Sequence, residues 1–279
     1  MKLFKRVTII GLGLIGGSLG LAIKKAGLAK EVIGVSRRMS TIRGAKAIRA
    51  VDSATLDIKK SVEGSDLVIL TAPVLTIINI AKKIAGCLKK GAIVIDAGST
   101  KKTIVSKIEA AFPKTVYFVG SHPIAGSERS GVTSADKDLF KGAYCILTKS
   151  ARTHAESIAR IKKFWEALGM KVEIMSPDDH DETVSRLSHL PHAIAVALSN
   201  TCAKCDLRMA AGGFKDTTRI SSGAPELWKD IFTTNRKNII KDIVKYKKEL
   251  SKIEKALRNN KDAELLRLLR KAKSIRDSI

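Results

Sequence analysis

The sequence predicts a doubly wound α/β domain followed by an all-helical domain. Three observations carry this expectation. Short, β-branched, continuously apolar runs alternate with helical segments as far as Met175, the pattern of a mostly parallel sheet covered on both faces. A glycine-rich turn, Gly11 to Gly16, joins the first such run to the first helical segment. After Met175 no strand-like run follows, and apolar residues recur at helical spacing.

Taken in order, Val7–Ile10 reads as a strand and Leu14–Ala26 as a helix. Val32–Ser36 is then a strand and Thr41–Ala50 a helix, and Leu67–Thr71 a strand and Leu75–Leu88 a helix. Ala92–Asp96 precedes a helix over Lys101–Ala111, Val116–Val119 and Ala143–Thr148 are strands, Thr153–Leu168 is a helix and Lys171–Met175 the last strand. Ser176-Pro177-Asp178-Asp179 is a helix start, with serine as N-cap, proline at the first helical position and acids in the first turn. That helix is expected to reach Asn200, followed by helices over Thr201–Ala211, Pro225–Asn259 and Lys261–Ser278. Ile239, Ile243, Tyr246, Leu250, Ile253 and Leu257 form a 4-3-4-3-4 stripe that could close one subunit's core or pair with a second subunit. The expected division is residues 1–176 and 177–279.

A chain of 279 residues with 44% hydrophobic content can bury a sizeable core. Its formal charge of +24 suits anionic ligands or nucleic acid. The basic residues are densest after Arg236, where no interleaved aromatics offer stacking platforms, so nucleic-acid binding is not expected. Cys87, Cys145, Cys202 and Cys205 are scattered through a long chain and do not read as a disulfide scaffold, and no metal-ligand spacing accompanies Cys202 and Cys205. The residues before the first glycines are too few for a secretory signal, and no apolar run has membrane length. A cytoplasmic protein, off the membrane, is expected, with no regulatory domain after the helices.

Gly11-Leu12-Gly13-Leu14-Ile15-Gly16 is a G-x-G-x-x-G element placed between a strand and a helix, the context of a Rossmann-like dinucleotide site. Gly11 allows the tight turn, Gly13 lets the backbone approach a pyrophosphate, and Gly16 lets helix and strand pack closely. The helix start at Leu14 and Ile15 offers free N–H groups to phosphate. At the end of the second strand, where NAD enzymes usually carry an acid, the chain reads Ser36-Arg37-Arg38. Two guanidinium groups and a hydroxyl suit a 2′-phosphate, so NADP is favoured over NAD.

Ligands of open α/β sheets bind beyond the carboxyl ends of the strands. Thr71-Ala72-Pro73, Asp96 to Lys101 and Gly120 to Gly126 lie at such ends. Oxidation of an alcohol needs an acceptor for the hydroxyl proton, and His122 stands where one is wanted. In the helical part, Ser188 and His192 are four apart and share a helix face, with His189 off that face. Pro191 breaks the ladder there and frees the Leu187 carbonyl. Gly212 to Arg219 reads as a loop, in which Arg219 could clamp a carboxylate.

These stretches together resemble the prephenate/arogenate dehydrogenase family. The resemblance rests on V-T-I-I-G-L-G-L-I-G-G-S, D-A-G-S-T-K at Asp96–Lys101 and G-S-H-P-I-A-G-S-E at Gly120–Glu128. It continues through D-L-F-K-G-A at Asp138–Ala143, D-D-H-D at Asp178–Asp181, S-H-L-P-H at Ser188–His192, G-G-F-K-D-T-T-R-I at Gly212–Ile220, and Pro225-Glu226-Leu227-Trp228. It covers roughly residues 5 to 250.

The resemblance implies oxidative decarboxylation of prephenate, with arogenate as the alternative substrate, in tyrosine biosynthesis. It implies that His122 takes the ring hydroxyl proton, with Ser99 and Ser121 as its hydrogen-bonding neighbours. It further implies that Ser188, His192, Gly212 and Arg219 lie on the substrate side, and that Trp228 closes the site, from the other subunit in relatives. Thr71 and Pro73 fall beside the cofactor, and the helical domain is implied to form a homodimer. No metal is expected in this chemistry. A β-hydroxy-acid dehydrogenase of the same two-domain plan would carry a lysine base on the first helix of the second domain, and Asp178 to Asn200 contains none.

Overall fold

The computed structural model describes residues 2–126 and 129–279. Its first half is built from β1 (Phe4–Ile10), α1 (Leu14–Lys25), β2 (Ala29–Val35), α2 (Met39–Ala47), β3 (Ser53–Thr55) and α3 (Ile58–Val62). These are followed by β4 (Leu67–Leu70), α4 (Val74–Ile84), β5 (Ile93–Asp96), α5 (Lys102–Ala111) and β6 (Tyr117–Pro123), then β7 (Tyr144–Thr148), α6 (Ala155–Ala167) and β8 (Lys171–Met175). Among the described residues the strands form one sheet in the order β3-β2-β1-β4-β5-β6-β7-β8. The strands run parallel except that β6 meets β7 antiparallel. The order reverses between β1 and β4, which opens a crevice beyond their carboxyl ends.

Alternation along each central strand feeds two cores. Ile9, Ile69 and Ile95 pack on one face with Leu19 and Ile23 of α1 and Phe164 and Trp165 of α6. Ile10, Leu70 and Val94 pack on the other with Ile77 and Ile84 of α4 and Ile104 and Ile108 of α5. Because both faces are buried, the strands read as unbroken apolar runs.

The short pair β3 and α3 lies where the sequence offered no long apolar run. Asp57 caps α3 by accepting from the amides of Lys59 and Lys60. β6 is longer than expected. It pairs with β5 as far as Val119 and then with β7 over Gly120–Pro123, so His122 lies on a strand and not in a loop after one.

The helical part is α7 (Pro177–Val184), a π turn over Ser185–His189, α8 (Leu190–Thr201), α9 (Gly212–Thr218), α10 (Pro225–Thr234), α11 (Arg236–Arg258) and α12 (Asp262–Arg276). Ser176 caps α7 by accepting from the Asp179 amide, and Pro177 opens the helix. The π turn follows from Pro191, which has no N–H to continue the ladder. The Leu190 amide reaches back five residues to the Ser185 carbonyl.

Three expectations in this half are corrected. Thr201–Ala211 is not a helix: a turn closes from the Cys205 amide to the Cys202 carbonyl, and Asp206 caps a short 3-10 turn, Leu207–Met209, through the Arg208 amide. Gly212 to Thr218 is the helix α9 and not a loop, with Thr217 and Thr218 hydroxyls bonded back to the carbonyls of Gly213 and Phe214. Pro225–Asn259 is two helices, parted at Asn235, whose side chain is drawn inward to the Asp181 carbonyl.

The helices seat on the carboxyl edge of the sheet. The Lys101 amide donates to Asp181 Oδ1 at 2.7 Å, and the Thr100 and Thr234 hydroxyls meet at 2.9 Å. Ile69, fully buried at the centre of the sheet, tests the two-sided core. Ile69→Ala should cost about 2–5 kcal/mol, read as a lower urea midpoint with an unchanged slope; an unmoved midpoint would contradict this packing.

Candidate active site

The nucleotide end begins at Gly11, whose φ of 109° is left-handed. A Cβ on Gly11 would lie 2.5 Å from the Thr71 carbonyl oxygen, and one on Gly16 would lie 1.9 Å from the Gly11 carbonyl oxygen. Gly13 has open space before it. The first helical bond is from Gly17 to Gly13, so the amides at the start of α1 are left for a ligand. No acid stands in the first turn of α1 to repel phosphate. This cradle fits a dinucleotide pyrophosphate.

Thr71 serves the turn itself, its hydroxyl donating to the Gly11 carbonyl at 2.5 Å. Pro73 is the N-cap of α4. Ser36 accepts from the Arg38 amide at 3.3 Å, and Arg37 and Arg38 are exposed at the end of β2.

Across the cleft lies a polar seam. His122 Nδ1 is 2.9 Å from His180 Nε2, and His180 Nδ1 is 2.8 Å from Asp181 Oδ1. Asp181 also accepts from the Lys101 and Lys102 amides at 2.7 and 3.1 Å. The Lys101 ammonium, fully buried, pairs with Asp96 and donates to the Ser121 carbonyl at 2.8 Å. Asp96 is held further by the amides of Ser121 and Gly98. On the helical side, Asn235 donates to the Asp181 carbonyl at 2.7 Å and lies 3.1 Å from His189 Nδ1. His192 stacks on Trp228 with ring centroids 3.5 Å apart and planes 8° from parallel.

Burial governs the titration of this seam. It drives His122 well below the ordinary histidine range, helped by His180, the Lys101 charge and His189. It lowers His180 to about 2, with Lys101 and His189 adding to the effect. Burial lowers His189 to about 4, opposed by the charge of Asp181, and it lowers His192 as well. Asp96 and Asp181 are pushed up by burial, against Lys101 and the amides that bind them. The histidines are therefore neutral imidazoles at pH 7 and able to take a proton.

The placement of the expected residues is mixed. His122 is in the seam, and His192 and Trp228 stack on each other within the chain. Ser121 is not a neighbour of the His122 ring. Successive strand residues face opposite ways, and its hydroxyl donates to the Val119 carbonyl at 3.3 Å. His122 Nδ1 is taken by His180, while Ser99 is half-buried at the end of β5. Ser188 and His192 do not share the inward face. The widened π turn leaves Ser188 exposed and brings His189 inward, 1% exposed, beside His192 at 2%. His189 Nε2 and His192 Nδ1 are buried without a hydrogen-bond partner among the described residues. Gly212 and Arg219 are exposed at the two ends of α9. Ser127 and Glu128, the end of the G-S-H-P-I-A-G-S-E stretch, lie outside the described residues.

Sequence reasoning gave no role to Asp96, Lys101, His180, Asp181, His189 or Asn235. The usable signals were an acid closing an apolar strand and an imidazole-acid pair in the first turns after a helix start.

A doubly wound sheet with a glycine cradle at its switch point, facing buried neutral imidazoles, defines a nicotinamide-dependent oxidoreductase. Residues 19–174 match the family model described as prephenate dehydrogenase, nucleotide-binding domain, and residues 176–271 match the prephenate dehydrogenase dimerization domain. The chain belongs to the prephenate dehydrogenase family. It is 32% identical to the prephenate dehydrogenase of Bacillus subtilis over 98% of this chain and 76% of that one. It superposes on the prephenate dehydrogenase of A. aeolicus, solved with hydroxyphenyl propionate and NAD+, with a TM-score of 0.93, 34% identity and coverage of 98% of each chain. It also resembles the arogenate dehydrogenase of Synechocystis, with a TM-score of 0.84, 32% identity, and coverage of 98% of this chain and 99% of that one.

The buried imidazoles make stability depend on pH. Above pH 6.5, His180 and His189 are neutral folded or unfolded and contribute no difference. As pH falls from 6.5 toward about 4 for His189 and about 2 for His180, the unfolded chain takes up protons that the folded one refuses. Stability should then fall by about 1.4 kcal/mol per pH unit for each of the two. Urea unfolding at pH 7.5, 6 and 5 measures this, and His189→Leu should remove one share of the slope. A flat profile would show that protonated forms of these rings are accommodated.

Proposed function

We propose that this chain oxidatively decarboxylates prephenate to 4-hydroxyphenylpyruvate in tyrosine biosynthesis. The observation that carries the reading is His122, a neutral imidazole on the carboxyl edge of the sheet, in a member of this family. A nicotinamide dinucleotide held by its pyrophosphate in the Gly11–Gly16 cradle would supply the hydride acceptor. His122 holds the ring hydroxyl of the substrate and takes its proton as the carbinol becomes a ketone. Loss of CO₂ aromatises the ring, so the protein need supply no second acid and no strong base. The residues orient the partners and bind the anions.

His192 and Trp228 form an aromatic wall whose unpaired ring nitrogen can meet the substrate. Arg219 is assigned to a substrate carboxylate, and Gly212 to the substrate side. Leu14, Ile15 and the glycines hold the pyrophosphate. Ser36, Arg37 and Arg38, with no acid beside them in the sequence, favour NADP over NAD. A homodimer covers the exposed apolar positions of α11 and α12, among them Val244, Leu250, Leu257 and Leu269. The same reading makes the chain a cytoplasmic biosynthetic enzyme; among the described residues no helix is long and apolar enough to cross a membrane.

Arogenate is the second reading, favoured by the likeness to the Synechocystis enzyme. It differs from prephenate by an amine in place of a ketone.

Absorbance at 340 nm, with prephenate or arogenate and NAD or NADP, decides among these. Turnover should be fastest with prephenate and NADP, and none with either substrate would end the proposal. His122→Asn should lose about 10²-fold or more in kcat while still binding cofactor. Arg37→Asp should raise KM for NADP and not for NAD; an unchanged KM would remove the 2′-phosphate assignment. Light scattering should give twice 30.2 kDa.

A further inference from the structure

We propose that His180 and Asp181 form a positioning relay that holds His122 in a single tautomer, with its Nδ1–H toward His180 and its Nε2 lone pair toward the substrate. The inference rests on the reading of His122 as proton acceptor and adds the groups that make it one.

The hydrogen bonds leave one consistent assignment. Backbone amides can only donate, so Asp181 accepts from Lys101 and Lys102 at the start of α5. Those donors and the helix N-terminus favour the ionised carboxylate. An ionised carboxylate has only lone pairs to offer, so His180 Nδ1, 2.8 Å from Oδ1, carries the proton. His180 is fully buried and neutral, which leaves its Nε2 as an acceptor. His122 Nδ1, at 2.9 Å, must then carry a proton, and His122 Nε2 is free to take one. A protonated Asp181 would reverse every bond and put the hydrogen of His122 on Nε2, where it could not act as a base.

Both members sit on α7, which crosses from the helical part onto α5 and β7, so the relay forms only when the two parts are docked. Lys101 from the sheet edge and His189 from the π turn act on both His122 and Asp181. On proton transfer the charge of the His122 imidazolium is matched by Asp181 through the His180 ring, as in other oriented general bases.

Two measurements test the relay on the full chain. Nitrogen-15 shifts of labelled histidine in the wild-type protein, assigned by loss of signals in His122→Asn and His180→Leu, should give Nδ1–H for both rings. An Nε2–H tautomer at His122 would overturn the proposal. In kinetics, His180→Leu should lose about 10²-fold in kcat with KM for the cofactor unchanged, while His180→Gln, which keeps an acceptor near Nε2, should recover to within about tenfold of wild type. Asp181→Asn should move the acidic limb of the kcat/KM profile to lower pH, because the charge that supports the imidazolium is gone. A structural role alone would lower activity without moving that limb. Wild-type turnover with undiminished His180→Leu would sink the relay and leave the reading of His122 intact. A wild-type protein without turnover would remove that reading, and the tautomer spectrum would then decide the relay alone.

Discussion

The fully buried pairing of Lys101 with Asp96 is the interaction on which the site depends. Two charges placed out of water at the end of β5 must be compensated within the protein, and nearby groups are oriented to do so. The amides of Gly98 and Ser121 turn toward Asp96, and the Ser121 carbonyl turns toward Lys101. That fixes the backbone immediately before His122. It also fixes the start of α5, whose amides hold Asp181 and through it α7. One ion pair therefore sets the position of the imidazole on the sheet and of the helix that meets it.

The second constraint is Pro191. A proline inside a helix would ordinarily cost about 3 kcal/mol or more. Here the ladder slips by one residue, and the widened turn points His189 and His192 inward together. Asn235, at the break between α10 and α11, reaches His189 and the Asp181 carbonyl at once. The two irregularities of the helical part thus converge on the same few atoms, which is where strain is expected to be retained in a functional protein.

The fold was largely legible because long periodic signals report burial directly. Strands such as Leu67–Leu70 are apolar on both faces, and the Ser176-Pro177 start needs only local chemistry. What stayed hidden was set by tertiary partners. β3 and α3 are too short for a period to show, and α9 begins with two glycines, against helix propensity. The break at Asn235 is drawn by a carbonyl 54 positions away. The glycine cradle and His122 were legible because strand-end geometry is general to open sheets. Ser121 faces away from the His122 ring because β6 continues past Val119 and successive strand residues point to opposite faces. Ser188 leaves the face of His192 because the helical period changes in the π turn before Pro191.

The acid-base character of the site follows from the same burial. Imidazoles this far from water are weak bases, which in most proton transfers would be a fault, since a base works best with a pKa near the working pH. Here the proton leaves a hydroxyl whose carbon is losing a hydride, so the hydroxyl becomes more acidic as the reaction proceeds, and aromatisation removes the product from the equilibrium. In the role proposed for it, His122 must be unprotonated and correctly oriented when the substrate arrives. A half-buried, neutral, hydrogen-bonded ring meets those demands. The surplus of positive charge on the chain, +24 by formal count, then suits the other requirement of this chemistry, which is to attract anionic ligands.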